Sequence, residues 1–172
     1  MAAILDQLVA EASRRREPFK VQWDGFSQAM RDESVDPDAI VEASWTTFRD
    51  RRIIPFKQRT LAHGRGPQTE DGLAVLHPAG VLVSAGRRKL LGGSIACGAI
   101  PFDRCVEMNT FDHGEIKSGL YSIEFLGPGG AVLGFLDWAW RKPAFRDPRE
   151  EMMSAAMERD RMADAIIGLV GD

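Results

Sequence analysis

The segment of this chain best equipped for proton transfer or metal ligation is Asp112-His113-Gly114-Glu115, a histidine with carboxylates on both sides. Asp112, His113 and Glu115 could stand at the mouth of a pocket as a general-base site. The same residue types also suit a tight turn between strands, and the segment reads first as part of a turn from Asp112 to Gly119. His63 and His77 have no second histidine at ligand spacing, so no metal is expected. Ser84, Ser94, Cys97 and Cys105 lack the surroundings that activate a nucleophile, and no catalytic residue is assigned. Gly64-Arg65-Gly66 and Gly127–Gly130 do not open a strand-to-helix step, so they read as turns and not as phosphate loops, and no cofactor is expected.

Binding chemistry is better represented than catalysis. Arg51 and Arg52 lie in one basic stretch, and Arg87, Arg88 and Lys89 form a second. Neighbouring strands would join them into a patch for a phosphate group or an acidic protein surface. Against that stand 25 acidic residues and a formal net charge of −3, which leave no overall basic field for nucleic acid.

The elements that must position these residues can be read from spacing. Ile4, Leu5, Leu8, Val9 and Ala12 recur at helical intervals before Arg14–Arg16, predicting an amphipathic helix over 3–16. Pro18–Phe26 is a connector. Asp36-Pro37 is an N-cap followed by a first-turn proline, predicting a second helix to about Arg49, with Ile40, Val41, Ser44, Trp45 and Phe48 on one face. His63–Gly72 reads as a surface loop. Strands are expected at Leu73–His77 and Val81–Ser84 around Pro78-Ala79-Gly80, with Arg87–Leu91 continuing or beginning another.

Ile100, Phe102, Val106 and Met108 alternate with polar neighbours as one strand would. Tyr121, Ile123 and Phe125 line one side of the next, and Gly127-Pro128-Gly129-Gly130 turns the chain back. Ala131–Trp140 is apolar on both sides, so helices or another subunit must cover its second face. Asp147, Pro148 and Glu150 then open a C-terminal helix whose stripe is Met152, Ala156, Ala163, Ile166, Ile167 and Val170.

Strands in meander order followed by one helix resemble the bacterial PH-like and GRAM-type domains. Gly80–Leu91 (GVLVSAGRRKLL) looks like that family's strand, turn and second strand, and Ala99–Val106 (AIPFDRCV) looks like its proline-containing strand. The resemblance spans roughly residues 53–170. It departs from the family at Cys105, where a branched aliphatic is usual, and does not extend to Met1–Arg52. It implies an α+β fold: an antiparallel PH-like β-barrel or sandwich closed by a C-terminal helix, with N-terminal helices packed outside. The division is a helical segment 1–52 and a β domain 53–172.

At 172 residues, 44% of them hydrophobic, the chain is ordinary globular material. No apolar run approaches membrane-spanning length, and Met1–Val9 has no basic residues ahead of its apolar ones, so no signal peptide is expected. Two cysteines eight apart suit thiols of a reducing compartment, hence the cytoplasm. Arginine outnumbers lysine 17 to 5, a usage associated with GC-rich bacteria. The expected function is a non-catalytic binding or scaffolding module with a protein partner, contacted through Arg87, Arg88, Lys89, Arg51 and Arg52. Two alternatives are an adaptor for anionic lipid headgroups and a small-ligand carrier or enzyme using Asp112, His113 and Glu115. Homodimerisation would also cover the apolar strand.

Overall fold

A computed structural model describes residues 27–28, 30–32, 34–48, 70–89, 92–114, 118–141 and 147–171. The expected helix over 3–16, the connector Pro18–Phe26 and the pair Arg51 and Arg52 lie outside the described residues. Among the described residues, seven strands precede one long helix: β1 (Glu42–Phe48), β2 (Glu70–His77), β3 (Gly80–Lys89), β4 (Gly92–Pro101), β5 (Glu107–Gly114), β6 (Ser118–Leu126), β7 (Val132–Arg141) and α1 (Arg149–Val170). All pairings are antiparallel, in the order β4-β3-β2-β1-β7-β6-β5. Two runs, β4-β3-β2-β1 and β7-β6-β5, meet where Thr47 pairs with Asp137. The protein is therefore α+β with a C-terminal helix, as expected. The expected closed barrel is not drawn: among the described residues β4 and β5 are the two edges.

The second predicted helix is the largest correction. Asp36 Oδ1 does accept from Asp38 N at 2.9 Å, but the cap serves only a three-residue turn, Pro37–Ala39. Strand β1 follows, and its seven residues pair with β2 from Glu42↔Leu76 to Phe48↔Glu70. Consecutive Thr46 and Thr47 beside Trp45 and Phe48 are β-branched and aromatic, the types that favour a pleated strand, and cross-strand pairing overrides the cap. The sheet thus begins ahead of residue 53, and Glu70–Gly72 belongs to β2 and not to a loop.

Two further expectations change. Ile100–Met108 is not one strand: Phe102–Arg104 forms a turn between β4 and β5, closed by Cys105 N donating to Phe102 O at 3.1 Å. The alternation does not carry across this turn: Ile100 is buried, whereas Val106 is exposed. Asp112 and His113 sit within β5, paired with Tyr121 and Leu120, and not in a turn.

The tight turns agree with the sequence. The β2–β3 hairpin turns at Pro78-Ala79, where His77 Nδ1 accepts from Ala79 N at 3.0 Å. Between β6 and β7, Gly127 N donates to Ala131 O at 2.7 Å, and Gly129 and Gly130 have φ of 70° and 76°, a left-handed backbone that side chains resist.

Register places the core. Ala74, Leu76, Val81, Val83 and Ile100 share one face of the first run, and Ile123, Phe125, Leu136, Trp138 and Trp140 one face of the second; all are buried, with α1 packed across them. The opposite face of the first run is also buried at Ala43, Leu73, Val75 and Leu82. Met30, in the helical residues ahead of β1, is fully buried as well.

Helix α1 starts beside Asp147-Pro148 as expected, with Asp147 Oδ1 accepting from Arg149 N at 3.1 Å. Its buried stripe is Ala155, Arg159, Met162, Ala163 and Ile166, whereas Ile167 and Val170, placed inside by spacing, are exposed. Ala163 and Ile166 of the expected stripe are buried, and Arg159, which an apolar pattern leaves out, is buried with them.

Candidate functional site

Asp112 and His113 are consecutive in a strand, so their side chains leave on opposite faces. The structure does not bring them together, and Glu115 lies outside the described residues. Asp112, on the face of Tyr121, accepts from Arg159 Nη1 at 3.0 Å. Arg159 is 8% exposed, its Nε lies 2.5 Å from Asp160 Oδ1, its Nη1 is 3.4 Å from Phe111 O, and its Cζ is 5.5 Å from the Tyr121 ring centroid. This cluster fastens the middle of α1 to the β5–β6 hairpin. His113 instead stacks on Phe111, with centroids 5.9 Å apart, and both rings are exposed on the other face.

The basic candidates fare differently. Arg87, Arg88 and Lys89 lie at the end of β3, paired with Ser94, Gly93 and Gly92. Among the described residues no three His, Cys, Asp or Glu side chains gather as a metal site. Cys105 is a free thiol, half-buried, 3.3 Å from Glu107 O.

A feature that sequence reading missed is the free side of β5. Gly127 directs its N–H to Ala131 O beside β7, so Leu126, one residue back, turns its backbone toward β5 and meets Glu107 there. Val106 N also reaches Leu126 O, at 2.8 Å. Alternation then sets Glu107, Asn109, Phe111 and His113 to bond β6, while Met108, Thr110 and Asp112 point their backbone groups away from the sheet. No other strand pairs with them among the described residues. The edge is eight residues long, without proline or lysine, the residues that commonly guard such edges. No sequence signal reveals this, because an edge is a property of pairing.

Compared with known proteins, the chain matches no family model, no curated protein and no solved structure. No helix among the described residues is long and apolar enough to cross a membrane.

Proposed function

We propose that this chain is a non-catalytic binding module that takes up an extended segment of a protein partner by strand addition at β5. One observation carries the reading: an edge strand that no other described strand pairs with, its backbone groups at Met108, Thr110 and Asp112 set outward by alternation, beside the exposed Phe111–His113 stack. Main-chain hydrogen bonds would supply affinity, and the two rings a contact for alternate side chains. Arg159 holds the end of this edge against α1, so the template is stiff before a partner arrives. The strand order with a terminal helix is what a PH-like domain would have, and we keep that family, and a cytoplasmic location, as part of the proposal.

The test is a proline at the edge. Thr110→Pro removes an N–H that faces away from the sheet, a position where an edge strand tolerates proline, whereas Asn109→Pro removes one that faces β6. Thr110→Pro should keep the thermal midpoint near that of the wild type yet lose the partner that the tagged wild-type chain retains from host lysate. Equal retention by both would overturn strand addition, and retention of lipid in place of protein would overturn the partner class.

A further inference from the structure

Helix α1 has a second organised face, turned away from the sheet. Met153, Met157, Asp160, Asp164 and Ile167 follow one another at alternating four- and three-residue steps, the spacing of a helix–helix seam. The three apolar members are 63%, 67% and 57% exposed. Such side chains are ordinarily inside, and a row of them on one helix marks a contact surface. Two methionines add adaptability, since unbranched thioethers repack against many shapes.

The middle of the seam decides what can sit there. Asp160 is shared with Arg159, but Asp164 is exposed, with no charged partner among the described residues. Two copies of this helix, side by side in either direction about the seam's centre, would set acid against acid, which disfavours self-pairing. A helix with apolar ends and a basic middle would match in both respects. Gly168, one turn after Asp164, supports a close approach: a Cβ there would meet nothing, so packing within the chain does not require this poor helix former. It lowers the surface beside the seam.

We propose that the outward face of α1 is a docking site for a basic amphipathic helix of a partner protein, held by Met153, Met157 and Ile167 at its ends and by Asp160 and Asp164 at its centre. The site is independent of the β5 edge, so either can stand without the other.

The probe is a synthetic amphipathic peptide of roughly 18 residues with leucines at both ends of its stripe and two arginines one turn apart at its centre, titrated by fluorescence anisotropy. Its control replaces the arginines by glutamates. The full chain should bind the first peptide and not the second. Asp164→Lys should weaken binding about tenfold, and Met157→Ser should weaken it too, while Asp38→Lys, an equal charge change in the exposed turn before β1, should leave it within about twofold. All three positions are solvent-facing, and circular dichroism checks that each variant folds. Equal losses for Asp164→Lys and Asp38→Lys would mean only diffuse attraction and would overturn the proposal. So would no binding of the arginine peptide, or a dimer in sedimentation that Asp164→Lys alters.

Discussion

The guanidinium of Arg159 stands 3.0 Å from the carboxylate of Asp112, so the middle of the C-terminal helix is tied to the outermost strand by an arginine that lies among apolar neighbours. The two ends of the pair are unequal. The Arg159 side chain is 10% exposed and the Asp112 side chain 67%. An arginine so placed contributes through its stem and through several acceptors at once, here Asp112, Asp160, the Phe111 carbonyl and the Tyr121 ring face.

That asymmetry predicts unequal losses. Asp112→Asn leaves Arg159 its other partners and removes only a solvent-screened charge, so it should cost under about 1 kcal/mol in urea unfolding. Arg159→Ala removes the stem as well and should cost about 2 kcal/mol. Equal losses would mean that Arg159 contributes through the ion pair alone.

At Gly119 the sheet depends on the absence of a side chain. A Cβ there would lie 2.5 Å from His113 O and 2.5 Å from Trp140 Nε1, against a backbone and a large buried ring. Gly119→Ala should therefore cost roughly 1–3 kcal/mol and alter the near-ultraviolet dichroism of Trp140, as expected when a packed site is overfilled. A thermal midpoint equal to that of the wild type would show that β6 and β7 can separate locally at no cost.

Adjacent isoleucines separate the two faces of α1. Ile166 is buried in the core and Ile167 is 57% exposed. Ile166→Ala should cost about 2–5 kcal/mol and Ile167→Ala within about 0.5 kcal/mol. Comparable losses would rotate the helix and place the docking seam inside.

Much of this architecture is legible in the order of the residues alone. The β2–β3 hairpin, the glycine turn after β6, the run of β7 and the start of α1 each carry a local signature in turn residues or capping, and local signatures depend on few neighbours. What is not legible depends on distant ones. The Asp36 cap is satisfied, yet β1 forms because β2, nearly thirty residues on, pairs along its whole length. Asp112 and His113 look like a catalytic pair in one dimension and point apart in a strand. The stripe of α1 escapes a hydrophobicity pattern because Arg159 occupies an inward position, and such a pattern assigns a charge to solvent. The outward seam is hidden for the converse reason, its centre being aspartates. Of the candidate site, the residues are visible but not the edge they border.

The contact between β1 and β7 sets the last prediction. Trp138 Nε1 donates to Ser44 Oγ at 2.9 Å, and Ser44 Oγ donates in turn to Glu158 Oε2 at 2.8 Å, so one hydroxyl links both runs of the sheet to the helix. Arg161 completes the line by donating to the same Glu158 oxygen at 2.8 Å and to Ala43 O at 3.2 Å. Ser44→Ala leaves the buried indole N–H without its acceptor and should cost about 1–3 kcal/mol. Trp138→Phe removes that donor, so little of the penalty remains when both changes are combined. The double variant should fall short of the sum by at least about 0.5 kcal/mol in a double-mutant cycle. Strict additivity would mean that the hydroxyl and the indole act independently, and that this side-chain link adds nothing to the pairing of the sheet's two runs.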